Sequence, residues 1–222
     1  MKHKAINTVI ALFGLGLAAV TAWHQFGPKR DVIMLASEGR VEVARQLKIE
    51  PFGGLDPESG ESLPLAGPVT WKIRAHNPTD RTVSLVSFQV FLLSKDDSPI
   101  QYSAMRELLS PFDATLPVQD LPENIPANES RAYLVSLFAP FKTDEDPQAK
   151  CDDDATNLQA LERCFFEKGR DMFGNPVEVL DTGSGLFATR WLGSFEGPRF
   201  VVVLETADGS KFFTQLSFRP GL

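Results

Sequence analysis

Three groups of residues in this chain of 222 residues are of a type and spacing that could do chemistry. The first is Asp181-Thr182-Gly183, set in Val179-Leu180-Asp181-Thr182-Gly183-Ser184-Gly185, which places an aspartate at a tight glycine-rich turn. Two carboxylates held together share one proton, so that one activates water while the other hydrogen-bonds a substrate carbonyl. The motif occurs once, and a second carboxylate would have to come from a second copy of the chain. The next group is acidic: Asp144, Glu145 and Asp146, followed by Asp152, Asp153 and Asp154. Carboxylates are hard oxygen ligands suited to calcium, but the alternating Asp-x-Asp-x-Asp-Gly loop that wraps the ion is missing. The competing reading is a solvated helix start, where aspartates oppose the helix macrodipole favourably. The last group is aromatic: Trp71, Trp191 and Phe195 could stack a sugar ring.

Val179 to Gly185 resembles the active-site loop of aspartic proteases. The resemblance implies a dimeric enzyme of the retroviral type with Asp181, Thr182 and Gly183 as its catalytic turn. The chain departs from that pattern, because Trp191-Leu192-Gly193 comes too early for the hydrophobic-Gly element such a protomer carries downstream. A strand ending in an Asp-Thr-Gly-Ser-Gly turn accounts for the same residues. Other chemistries find less. A Ser-His-Asp arrangement would have to use His76, beside the Asn77-Pro78 turn, and no Gly-x-Ser-x-Gly elbow is present. His3 and His24 fall in the N-terminal segment, so no transition-metal set forms and no cofactor is expected. The formal charge of -7 and pI near 5.0 lack the clustered Lys and Arg that phosphate neutralisation requires, which excludes nucleic acid as a partner.

The elements that must position these groups begin with an export segment. Lys2 and Lys4 precede an uncharged apolar run that ends at Gly27, Pro28, Lys29 and Arg30. Ala5 to Phe26, about 22 residues, is long enough as a helix to cross a hydrocarbon core of about 30 Å. Trp23 and Phe26 would then sit at the outer interface. The chain is expected to meet a membrane through residues 5–26, as an uncleaved signal-anchor within residues 1–30. The densest part, Val9 to Val20, is short, and Val20-Thr21-Ala22 offers small residues to a signal peptidase, so a cleaved signal peptide is the alternative.

Both cysteines, Cys151 and Cys164, lie in one short segment, too sparse for zinc and consistent with a disulfide formed in an oxidising compartment. Such a bridge would stabilise by about 3 kcal/mol in the chain-entropy model. Two unpaired thiols are the other possibility.

Residues 31–222 read as β-rich. Val41 to Glu50 is expected as the first strand, broken near Arg45 and Gln46, and Pro51 to Pro68 as a long surface loop. Val69 to Ala75 alternates, Asn77-Pro78-Thr79-Asp80 is turn chemistry, and Thr82 to Leu93 follows as the other arm of a hairpin. That last strand is expected to be central, with Val86, Phe88, Val90 and Leu92 on one face. After a Pro-rich connection from Ser110 to Pro126, Arg131 to Phe138 is apolar on both faces and so buried. Pro140 to Gly174 holds a helix with Leu158, Leu161, Cys164 and Phe165 on one face and Gly169 at its end. Phe200 to Thr206 and Lys211 to Phe218 flank Ala207-Asp208-Gly209-Ser210, a strong hairpin signal.

From Trp71 to Phe138 the order of strand, Asn-Pro turn, long apolar strand, Pro-rich loop and a strand entered through Pro-Ala-Asn-Glu-Ser resembles bacterial immunoglobulin-like domains. The resemblance implies a mainly β, antiparallel immunoglobulin-like β-sandwich, here with a disulfide-tied helical insertion near 140–174. The disulfide of antibody domains is missing from these strands. Fold alone does not fix function. The expectation is a non-enzymatic, membrane-tethered module on the periplasmic side that binds another envelope protein, as an accessory or assembly subunit. The alternatives are the dimeric protease and a calcium- or glycan-binding module.

Overall fold

The protein is described from a computed structural model covering residues 30–43, 46–55, 62–102, 107–109, 121–142, 151, 155–181 and 187–218. Residues 1–31 and Val32–Leu222 form separate units. In chain order the strands are β1 (Met34–Val41), β2 (Lys48–Leu55), β3 (Ser62–His76), β4 (Val83–Leu93), β5 (Pro99–Gln101) and β6 (Glu107–Leu109). They continue with β7 (Glu123–Ile125), β8 (Ser130–Pro140), β9 (Val177–Asp181), β10 (Phe187–Trp191), β11 (Arg199–Thr206) and β12 (Lys211–Leu216), with one helix, α1 (Leu158–Glu167), between β8 and β9. Every strand pairing is antiparallel, so the chain is mainly β with one short helix.

β3 is the spine of the first sheet, whose order is β1-β3-β8-β6 with β2 also on β3. Its C-terminal half pairs with β1, its N-terminal half with β2, and its other side with β8. Val69, Trp71, Ile73 and Ala75 alternate along it and are fully buried, as the period of two requires. Thr70, on the opposite face, is buried as well and shares a hydrogen bond of 2.7 Å with the Ser136 hydroxyl of β8. β8 is buried along most of its length, consistent with its apolar residues on both faces.

The second sheet has the order β12-β11-β4-β5, with β7 also on β4. Phe200, Val202, Leu204 and Thr206 of β11 point inward and are buried, alternating with half-buried neighbours. The two sheets share one core: the Trp71 indole lies 6.3 Å from Phe200 and 4.9 Å from Phe218 between ring centroids. Its Nε1–H donates to the Ser217 carbonyl at 2.8 Å, which satisfies the one polar atom of a buried side chain. Burying each such large side chain contributes about 2 kcal/mol by area, before ordering entropy is subtracted.

Several expectations about the strands are corrected. Val41 closes β1 rather than opening a strand to Glu50. β1 carries Ser37, Glu38 and Arg40 and is half exposed, so its apolar signal is weak. Pro51 to Pro68 is largely strand, since β2 runs to Leu55 and β3 starts at Ser62. Pro64 and Pro68 are accommodated beside a register shift between Ala66 and Val69. At Gly67 a Cβ would come within 3.0 Å of the Leu137 carbonyl oxygen and Phe138 Cα, so only glycine lets the two strands approach there.

Asn77 to Asp80 does not close a hairpin, because β3 and β4 belong to different sheets. The buried Asn77 side chain turns the chain between them. Its Nδ2 donates to the carbonyls of Arg81, Ile125 and Pro126 at 2.7, 3.0 and 3.0 Å, and its Oδ1 accepts from Thr79 N–H at 3.0 Å. β4 is central in its sheet, but its inward face changes phase. Val83 and Leu85 are buried, then Val90 and Leu92, and a bulge opposite Glu205 and Thr206 leaves Val86 41% exposed. Within the Pro-rich connection, β7 adds to β4.

α1 starts where Asn157 Oδ1 accepts from Ala160 N–H at 2.8 Å and ends before Gly169, whose φ of +74° suits glycine. Leu161 and Phe165 are its buried residues, and Phe141 meets Phe165 edge-on at 6.2 Å. Cys151 and Cys164 are bonded, so the expected tie between helix and preceding chain is present. β9 and β10 make a separate two-stranded hairpin. Among the described residues no helix is long and apolar enough to cross a membrane, and the segment 5–26 lies outside them.

Candidate functional site

A cleft of about 450 Å³ lies between the end of β1, α1, the turn 171–175 and the hairpin β9–β10. Each wall is held by a specific contact. Arg40 reaches from β1 to α1 and makes a bidentate pair with Glu162, at 2.6 and 2.9 Å. The fork geometry fixes the helix against the sheet edge more firmly than a single-point surface pair would. Next to it, Glu38 is paired with Lys72 and Arg74; hydrogen bonds from Arg74 and then Lys72 hold its carboxyl below the usual range.

The third wall depends on Asp171, which is 5% exposed. Its Oδ1 accepts the backbone N–H groups of Phe173 and Asn175 at 2.9 and 2.8 Å, closing the turn. Its Oδ2 accepts from Asn175 Nδ2 at 2.8 Å and from Trp191 Nε1 at 3.0 Å. Asn175 in turn ties the segment before β11, donating to the Glu196 carbonyl at 2.6 Å and accepting from Glu196 N–H at 2.8 Å. One buried carboxylate therefore sets the orientation of the indole and the shape of the loop together.

The cleft that results is aromatic. Trp191 stands perpendicular to Phe166, with ring centroids 6.3 Å apart, and Phe173 meets Phe195 and Phe218 edge-on at 5.8 and 4.7 Å. Glu38, Arg40, Glu42, Glu162 and Asp171 line it as well. The cleft thus combines aromatic contact area with several charged groups. Asp171 already accepts four hydrogen bonds, so its place in the cleft is structural.

The residues singled out from sequence fall as follows. Trp191 and Phe195 both line the cleft, whereas Trp71 is 0% exposed and cannot join them on a platform. Asp181 is the last residue of β9, paired in register with Phe187 of β10, so a strand does end at the motif. Thr182 and Gly183 lie outside the described residues, as do Asp152, Asp153 and Asp154 and the earlier run Asp144 to Asp146. Among the described residues no group of three His, Cys, Asp or Glu could hold a metal ion. His76 closes β3, its Nδ1 3.0 Å from the Ser130 hydroxyl across the strand pair.

Sequence reasoning missed Asp171, Phe166 and Arg40. Asp171 followed by Gly174-Asn175 is legible as turn chemistry. Arg40 and Glu162 are 122 positions apart and carry no local signal. The disulfide points to an oxidising, extracytoplasmic compartment. Comparison with protein-family models, with curated proteins and with solved structures gives no match.

Proposed function

We propose that this chain is a non-enzymatic binding module: an extracytoplasmic, immunoglobulin-like β-sandwich, tethered through residues 5–26 to the inner membrane on its periplasmic side, that engages another envelope protein as an accessory or assembly subunit. Cleavage within residues 1–30 would instead release the same module to the periplasm or medium. The observation that carries the reading is the preorganised aromatic cleft beside α1. Rigid Trp and Phe anchors in a fixed cleft lose little entropy on binding and are the residue types that dominate protein interfaces. Two antiparallel sheets on one core support the sandwich, and the disulfide supports export.

The test is affinity purification of the full chain from gently solubilised membranes, with intact mass measured on the same sample. A reproducible second protein, depleted by Trp191→Ala, is the expected result. Recovery of the chain alone in every detergent would defeat the reading, and so would acid-favoured peptide cleavage that vanishes in Asp181→Asn. Because Trp191 and Phe195 share the cleft, glycan binding is the second reading. It predicts an upward thermal shift with oligosaccharides.

A further inference from the structure

The cleft beside α1 carries more negative charge than its own cation neutralises. Among the described residues its lining holds four carboxylates, Glu38, Glu42, Glu162 and Asp171, against one cation, Arg40. Arg40 is spent on Glu162, and Glu38 is met from outside the cleft by Lys72 and Arg74. Two carboxylates are left over. Asp171 takes its four hydrogen bonds from two backbone N–H groups, an amide and an indole, all of them neutral donors. Glu42 follows the last residue of β1, is exposed, and is paired with no Lys, Arg or His among the described residues.

The aromatic walls favour an occupant of the opposite sign. A ring face is the negative end of the aromatic quadrupole and attracts a cation, most strongly on tryptophan. Trp191 and Phe166 both line the cleft with their planes at 90°, so they form a corner rather than a stack. The Trp191 N–H donates to the Asp171 carboxylate at 3.0 Å. A donor bonded to an anion is polarised, which pushes electron density into the indole and strengthens its pull on a cation. With its lone pairs taken, Asp171 acts on an occupant through its charge and through Trp191. Glu42 keeps both oxygens for direct contact.

We infer that the cleft takes the guanidinium of an arginine presented by the envelope partner, held against Trp191 and Phe166 and paired with Glu42. The inference rests on the cleft being the partner-binding surface and names the chemistry that the partner must present. Arginine fits better than lysine, because its planar, weakly hydrated head stacks on a ring and pairs with a carboxylate through two N–H groups together. An ammonium would first give up a tighter water shell. An acidic or uncharged segment would cover Glu42 and Asp171 without compensating either. A divalent ion fits worse, since among the described residues no three of His, Cys, Asp or Glu converge.

The probe is the blocked tripeptide Gly-Arg-Gly, titrated into the full chain in detergent micelles at fixed ionic strength. The uncharged, isosteric citrulline peptide and the lysine peptide are run beside it. The readout is the Trp191 indole N–H resonance, identified by its loss in Trp191→Phe. The arginine peptide is expected to shift it saturably with a millimolar Kd, about tenfold tighter than the citrulline peptide and about threefold tighter than the lysine peptide. Glu42→Gln is expected to weaken arginine binding about fivefold with Tm unchanged. Equal affinity for the arginine and citrulline peptides would overturn the inference. So would tighter binding of the lysine peptide, no saturable shift by about 20 mM, or undiminished affinity in Glu42→Gln. Failure here is distinct from failure of the module reading. A co-purifying protein lost in Trp191→Ala, with no preference for arginine over citrulline, ends the arginine assignment and leaves the module. Arginine preference in a chain that captures no protein keeps the cation site and ends the module.

Discussion

The buried carboxylate of Asp171 holds the indole of Trp191 from behind, Oδ2 accepting Nε1–H at 3.0 Å while Oδ1 accepts the backbone N–H groups of Phe173 and Asn175. The cleft wall is thereby preorganised, because the tryptophan that lines it cannot rotate without abandoning a buried acceptor. The carboxylate links local turn chemistry to the shape of the site.

Asp171→Ala is expected to destabilise the fold by about 3 kcal/mol, since it orphans several buried donors together. Asp171→Asn keeps one acceptor oxygen and is expected to cost about 1 kcal/mol. Urea unfolding measures both. Indole emission should move to the red in the alanine variant, as Trp191 loses its anchor and meets water.

Trp191→Ala is expected to weaken capture of the partner by about 30-fold, the scale of a tryptophan hot spot worth about 2 kcal/mol. Phe166→Ala, which removes the perpendicular ring, should weaken it in the same direction. Titration of the purified partner against surface-immobilised chain reads both. Undiminished affinity in the two variants would move the contact surface away from the cleft.

Replacing Cys151 and Cys164 together by serine is expected to cost about 3 kcal/mol, from the loop-closure entropy regained by the unfolded chain. For a domain of this size that corresponds to a fall of roughly 6–12 °C in Tm. The helix begins after the loop and carries Glu162 and Phe166 into the cleft, so partner capture should fall along with stability. Scanning calorimetry with and without reductant gives the first quantity.

How far the sequence speaks depends on how local the signal is. The β11–β12 hairpin was legible because Asp208 and Gly209 sit between two apolar runs, and the structure uses both: Asp208 Oδ1 accepts Ser210 N–H at 2.9 Å and Gly209 has φ +82°. The helix was legible from the spacing of Leu161 and Phe165 and from Gly169. Asn77 misled, because the side chain that would terminate a hairpin instead bonds Ile125 and Pro126, 48 and 49 positions away, and sends β4 to the other sheet. Val86 misled for a related reason, since a bulge in the pairing with β11 is invisible from β4 alone. In the site, Trp191 and Phe195 stand out by type, but what aims them, Asp171 and the Arg40–Glu162 pair, is tertiary. Trp71 has the same residue type as Trp191 and the opposite fate, decided by which face of β3 it occupies.

Stability is expected to fall on the alkaline side. Tyr102 and Tyr133 are buried, and loss of solvent pushes both hydroxyls above the usual tyrosine value, with the Glu50 charge adding to the effect on Tyr102 and the neighbouring Glu123 to that on Tyr133. In the unfolded chain both titrate near 10. Below that pH neither state is ionised and the stabilisation is fully present. As pH climbs above about 10 the unfolded chain releases protons that the folded chain still holds, and stability drains away. Tyr102 also donates to the Phe138 carbonyl at 2.7 Å, so Tyr102→Phe should cost about 1 kcal/mol at neutral pH. The Tyr133 hydroxyl is buried beside the Glu123 carboxylate, the acceptor that helps to hold its proton, so Tyr133→Phe should also cost about 1 kcal/mol at neutral pH. The double variant is therefore expected to start lower at pH 8 yet lose Tm less steeply between pH 10 and 11.5, as followed by circular dichroism. Parallel alkaline slopes for native chain and double variant would mean that these two phenols do not control the limb.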